Sequence, residues 1–466
     1  MSAVEPSPPR APAGGAQPNC DAVGSTAMYS SLLNLTMTSR AAAEHLGTER
    51  DYKALVCLFL DGGNDSYNML VPREEEEFAR YRRARGDLAL ARGDLLEIND
   101  PAGGGRSFGI HPAMPEIRDL YQAGQLSFVC NVGTLVERTN LADIQRYTAR
   151  LPLGLYSHAD QVMHWQTSTP DARGSVGWAG RAAEVLQALN EKDAVSMNIS
   201  LSGTNVFQSG RNLVPYSITP DGVSLLRGYD DPTRPFFQKA VDSMLELRYQ
   251  SLLKQTYASL TRTSISSANR FLSAWNAAPR VTTAFPETVL GRGLRGVAQA
   301  IAARENLGMR RQTFFVRSAG WDHHDEVLAS QSTMLRTVSE AVGSFWHAIG
   351  NLGLQDRVVL FTVSDFGRTL SSNGRGSDHG WGGHQFVVGG PQQGGRLYGR
   401  YPEDLSLGNG LDTGRGRLIP TTSVDEYFAE LALWLGVARS DLGRTLPNIE
   451  RFYSVSSDRA PLGLFN

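Results

Sequence analysis

The sequence is short of several things, and each shortage removes a class of protein. Three cysteines in 466 residues are too few and too scattered for a disulfide framework. Cys57 and Cys130 lie inside apolar runs, where cysteine acts as a small hydrophobe. No run of about 18 or more apolar residues occurs, which excludes a membrane-spanning helix. Forty-five basic side chains against forty-seven acidic ones leave a formal charge of -2, so there is no net pull toward nucleic acid or anionic lipid. No internal repeat of fixed period is evident, and no glycine pattern matches a P-loop or a dinucleotide fingerprint.

What remains has the composition of an ordinary globular protein, with 41% apolar and 20% charged residues. Met1 to Pro18, rich in Pro, Ala and Gly, is expected to be disordered. Ala27 to Ala43 is mildly apolar and ends in three alanines. It reads either as the remnant of an export signal or as a flexible arm, since no basic n-region and no long apolar h-region precede it. Residues 1–50 are therefore set apart from a single α/β domain over 51–466, with a helical insertion near 236–280.

Ordered structure is expected to begin at Leu55-Val-Cys-Leu-Phe-Leu60, a continuous apolar run of strand length stopped by Asp61-Gly-Gly-Asn-Asp65. The charged stretch Arg73 to Arg92 reads as a solvated helix or loop. A helix-like segment from Pro112 to Gln122 leads into a strand at Leu126 to Val132, and further strands are expected at Ala194 to Leu201, Thr313 to Val316, Val358 to Val363 and Phe386 to Val388. Met334, Leu335, Val338, Val342, Phe345 and Ile349 have helical spacing between two of them. Alternating strand and helix predicts a doubly wound, mostly parallel central sheet flanked by helices.

The polar residues collect just after the strands, at the sheet end where ligands bind in such folds. Asp61 and Asp65 follow the first strand, Asp322, His323, His324 and Asp325 a later one, and Asp365, Asp378, His379 and His384 the next. Carboxylate and imidazole are ligands for a divalent metal, zinc above all, with manganese, calcium or iron as alternatives. Asp61, Asp65, Asp322, His324, Asp365, Asp378 and His379 form the candidate set. Asp322 and His324, two apart, point to the same side of an extended loop. Taken singly, an aspartate after a strand more often closes a turn or caps a helix. Arg368 can meet an anionic group or salt-bridge a nearby carboxylate. Ser157, beside His158, is either a helix cap or a nucleophile at a helix N-terminus. His45, His111 and His347 read as structural, and His323 and His384 are open.

The chain resembles the bacterial domain-of-unknown-function 1501 family, of the alkaline-phosphatase-like (sulfatase) superfamily. The likeness runs from about Ala54 to Phe452 and rests on Phe59-Leu-Asp-Gly-Gly-Asn-Asp65, Ser157-His158 with Trp165-Gln166, Gly320-Trp-Asp-His-His324, Ser364-Asp-Phe-Gly-Arg-Thr369 and Gly376-Ser-Asp-His-Gly-Trp-Gly-Gly-His384. It implies an alkaline-phosphatase-like fold and metal-dependent hydrolysis or transfer of a phosphate, sulfate or related small anionic ester. Asp61 and Asp365 match acids of one metal site, and Asp322, His324 and His379 match the other. Ser157 or a metal-bound water would attack. Phe366 departs from the pattern, standing where the superfamily has a histidine. This leaves open a non-catalytic metal-binding or assembly protein with a protein partner, and the superfamily also contains phosphomutase-type isomerases. Family members often carry a twin-arginine signal. No Arg-Arg lies near this start, so the expectation is periplasmic or exported if residues 20–43 end a leader, and cytoplasmic otherwise.

Overall fold

The apolar run that opens the domain becomes the strand Lys53–Asp61 (β1), buried throughout from Ala54 to Leu60. Its side chains alternate between two cores: Ala54, Val56, Leu58 and Leu60 enter one, and Leu55, Cys57 and Phe59 the other. A strand with no solvent face needs apolar residues at every position, which is why its sequence shows no alternation. The computed structural model describes residues 52–465 apart from 191–194, 224–228, 230 and 232, so the arm or leader expected over 1–50 lies outside the described residues.

Among the described residues, eight further strands join β1: Leu126–Gly133 (β2), Asn198–Ser200 (β3), Tyr216–Ser217 (β4), Arg311–Ala319 (β5), Val358–Ser364 (β6), Gly383–Gly389 (β7), Leu397–Gly399 (β8) and Thr422–Ser423 (β9). The order is β8-β2-β7-β6-β1-β5-β3-β4, with β9 also on β2. β1 runs parallel to β5 and β6, and β3 parallel to β5 and β4. The mostly parallel sheet expected from the sequence is present, with one local exception. β7 is antiparallel to both β2 and β6. It returns from β6 through residues 365–382 without a crossover helix, and antiparallel neighbours need none. The strand expected from Ala194 is confined, among the described residues, to Asn198–Ser200.

Helices cover both faces. Pro115–Gln122 (α1), Val289–Ala302 (α2) and Val327–Asn351 (α3) bury Ile117, Leu294, Val297, Leu335, Val338, Val342 and Phe345 on the side of Val56. On the opposite face, the helices His158–Thr167, Trp178–Leu186 and Val424–Leu435 bring Trp165, Trp178, Phe428 and Leu431 against Phe59 and Phe361. The segment read as a helical insertion holds two helices, Pro235–Glu246 and Leu252–Ala277. The charged stretch after Arg73 holds the helix Glu75–Arg85, but it is not wholly solvated: Tyr81 and Arg85 are buried. No described helix is long and apolar enough to cross a membrane.

Candidate metal centre

Three strands deliver the site. β1 ends on Asp61, β5 leads into Asp322 and His324, and β6 is followed at once by Asp365. A small hairpin, Arg368–Ser372 with Ser377–His379, brings His379 back to the same end. His158 is the first residue of its helix. Gly62, at φ +125°, lets the β1 loop lie directly on the β5 loop, since a Cβ there would stand 2.5 Å from the Asp322 backbone nitrogen.

His158, Asp322 and His379 each aim a ligand atom at one point, all within 4.8 Å of one another. The Nε2 atoms of His158 and His379 are 3.0 Å apart, and His324 brings its own Nε2 to 2.9 Å from that of His379. Asp322 Oδ1 lies 3.0 Å from His324 Nε2 and 3.3 Å from His379 Nε2, while its Oδ2 is 3.4 Å from His158 Nε2. The group opens to solvent, with the Asp322 side chain 46% exposed.

The other ring nitrogens decide what these atoms carry. His158 Nδ1 meets the Asp365 carboxylate at 2.7 Å, His324 Nδ1 the Asp378 carboxylate at 3.0 Å, and His379 Nδ1 the Tyr156 carbonyl at 2.8 Å. All three partners accept hydrogen bonds, so each Nδ1 carries the proton. In the neutral tautomer each Nε2 then presents a lone pair. Three lone pairs facing one another repel unless a cation lies between them. A single proton can serve only one of the two contacts at His379.

The donor set fits a divalent metal. Tetrahedral ligands at the ~2.0–2.1 Å typical of zinc stand roughly 3.3 Å apart, so shifts of a few tenths of an ångström would admit the ion. Each imidazole also has the carboxylate or carbonyl behind it that fixes metal-ligating histidines.

Charge reinforces the arrangement. The hydrogen bond that His158 donates to the Asp365 carboxylate raises the histidine's pKa despite its partial burial. Burial pulls His379 down. Burial works to raise Asp322, but the hydrogen bond and charge of Arg368 overcome it and hold the carboxyl below its ordinary range. Burial likewise works against Asp378, but hydrogen bonds from Asn373, His324 and Arg415 bring it down to about 2.

Several residues singled out in the sequence sit elsewhere than expected. Asp61 is held by Arg317 instead of joining the ligand group. Asp65 is a structural acid, fully buried against Arg85 at 2.6 Å and Ser377 Oγ at 2.8 Å. Asp365 is spent behind the site: one oxygen faces His158 and the other accepts the Gly62 N–H at 2.8 Å. Asp378 is a support for His324 and also meets Arg415. Of the two partners read for Arg368, the structure shows the nearby carboxylate. Arg368 is fully buried, and its guanidinium donates to the carbonyls of Gly62, Gly63 and Ser377 and to the Asp322 carboxylate. His158, the neighbour of the candidate nucleophile Ser157, is itself a candidate ligand.

Ser157 occupies the N-cap position but makes no side-chain hydrogen bond to its helix backbone, and its hydroxyl meets Asp160. Phe366 packs on His158 and His379, each ring 4.8 Å away. His384, open from sequence, is buried in the core, stacked on Tyr401. The supports from Tyr156, Arg317 and Arg415 went unremarked in the sequence. A backbone carbonyl leaves no trace there, and an exposed arginine reads as ordinary surface.

No curated protein matches this chain. Solved structures with distant likeness include Ps i-CgsB in complex with k-i-k-neocarrahexaose, 11% identical over 83% of this chain and 72% of that one at a TM-score of 0.32. The lipoteichoic acid synthase LtaP from Listeria monocytogenes is 7% identical over 77% and 73%, at 0.30. A mutant of alkaline phosphatase PafA is 13% identical over 69% and 64%, at 0.25. The family model described as "Protein of unknown function (DUF1501)" matches residues 52–407, and the chain belongs to that family.

Proposed function

We propose that the protein is a metal-dependent hydrolase of a phosphate, sulfate or related ester. The observation that carries this reading is the convergence of three imidazole Nε2 atoms, each with its Nδ1 proton held from behind, on a half-exposed carboxylate. A structural metal is normally closed off by its ligands, whereas this group faces solvent. A divalent cation held there would supply an acidified water and draw charge from an ester oxygen.

The chain's own residues supply the rest. His158, Asp322 and His379 would hold the ion and leave a fourth position for water, with His324 beside them, and Asp365, Asp378 and Tyr156 keep the three rings in one tautomer and orientation. Arg368 fixes Asp322 from below. His158 opens a ten-residue helix whose cap leaves the first-turn N–H groups unclaimed by the Ser157 side chain. That end of a helix favours an anionic group. An anionic ester is therefore the substrate class that suits the site.

The test is metal analysis of the purified protein together with turnover of 4-nitrophenyl phosphate and 4-nitrophenyl sulfate. Bound divalent metal, and hydrolysis lost on chelation and in Asp322→Ala, are expected. Tightly held metal without hydrolysis of any aryl phosphate or sulfate would support the second reading, a non-catalytic metal-binding protein. Phe366 favours that reading, because its ring occupies space beside His158 and His379.

A further inference from the structure

Resting on that metal-centre reading, we propose that the centre holds a single divalent cation and that Arg317 supplies the second positive charge to an anionic ester. Among the described residues, the ligand-type side chains that converge form one cluster, His158 and His324 both meeting the shared pair Asp322 and His379. The neighbouring acids are committed. Both oxygens of Asp365 are taken by His158 and the Gly62 N–H, and those of Asp378 by His324 and Arg415. Asp65 is locked on Arg85. Asp61 already has a cation, because Arg317 Nε and Nη2 both reach its Oδ2.

Arg317 is placed to do more than neutralise Asp61. Asp61 lies two residues beyond Phe59, and Arg317 two beyond Phe315, on adjacent parallel strands, so the pair shares their face of the sheet. Phe59 and Phe315 are 6.2 Å apart, and Phe59 lies 5.1 Å from Trp165 of the helix that begins with His158. The guanidinium is held by Asp61, the residue before Gly62, whose N–H holds Asp365 behind His158. Its side chain is 53% exposed, and Nη1 makes no hydrogen bond to any described residue. Asp61 fixes one edge of the planar fork and leaves the other free, the edge with which arginine takes two oxygens of a phosphate or sulfate.

The experiment titrates the full chain with zinc, then titrates the zinc-loaded protein with inorganic phosphate and with sulfate, for the wild type, Arg317→Met and Arg317→Lys. One zinc per chain is expected in all three. Arg317→Met should bind the preferred anion at least tenfold more weakly, with Arg317→Lys recovering part of the loss. For any ester that is turned over, KM should rise more than kcat falls. Two zinc ions per wild-type chain, equal anion affinity in Arg317→Met, or no anion binding to the zinc-loaded wild type would each overturn the proposal. Absence of any zinc binding would instead overturn the metal-centre reading beneath it.

Discussion

His324 and His379 face each other through their Nε2 atoms at 2.9 Å, while the nitrogens on the far sides of the two rings are held by Asp378 and by the Tyr156 carbonyl. Two rings pinned in this way cannot turn apart, and neither can offer a proton to the other without becoming charged. On the metal-centre reading the contact suits a positive ion, and this sets the first expectation. His379→Ala should lower zinc affinity by more than about 100-fold, read by competition with a chromophoric chelator, because it removes the nitrogen common to both contacts. An affinity near that of the wild type would show that the lone pairs serve another purpose.

On the metal-centre reading, Asp365 would act through His158 and not on the ion itself. Asp365→Asn keeps an acceptor for the His158 Nδ1 proton but loses the charge that raises its basicity. Zinc affinity should fall by about 10- to 100-fold, as for other supports behind ligating histidines. The ring should keep its place in a structure of the variant. A loss as large as that of His379→Ala would make Asp365 a direct ligand.

Arg368 joins three loops at once, through the carbonyls of Gly62, Gly63 and Ser377 and the Asp322 carboxylate. Arg368→Met would strand the three buried carbonyls and leave the half-exposed Asp322 carboxylate unpaired. Urea denaturation of metal-free protein should show a loss of about 3–5 kcal/mol, as expected for several buried acceptors left unsatisfied at ~1–3 kcal/mol each. Arg368→Lys should recover little, since an ammonium cannot reproduce the fork. Full stability in Arg368→Met would mean that water replaces these bonds.

Much of this was legible in the sequence because it rests on local pattern. β1 announces itself by seven successive apolar residues, and the acids and histidines that follow the strands fall at one sheet end because parallel strands share a direction. Spacing alone could not separate the side chains that converge from those that stand behind them. Asp61, Asp65, Asp365 and Asp378 look alike in sequence, and only the fold shows that Asp322 meets three imidazole Nε2 atoms while the others turn to Arg317, Arg85, His158 Nδ1 and Arg415. The antiparallel β7 was hidden for a related reason, since a short apolar strand carries no mark of its direction.

The sheet core contains a titrating group whose effect on stability has a definite sign. His384 is fully buried, stacked on Tyr401 at 4.6 Å and edge-on to Tyr67, and its Nδ1 accepts the Asn131 N–H at 3.1 Å. Burial depresses its pKa from the usual 6.5 to about 3. The folded chain therefore keeps this ring neutral where the unfolded chain protonates it. Its contribution is fully present above 6.5 and is lost as the pH falls from there toward about 3. The loss amounts to at most about 1.4 kcal/mol per pH unit. His384→Gln retains an acceptor for Asn131 but does not titrate. The variant should be less stable than the wild type at about pH 8, and by about pH 5 the gap should narrow by roughly 2 kcal/mol. Urea midpoints of metal-free protein at the two pH values read this directly, and a gap that stays constant would place the protonation of His384 within the ordinary histidine range.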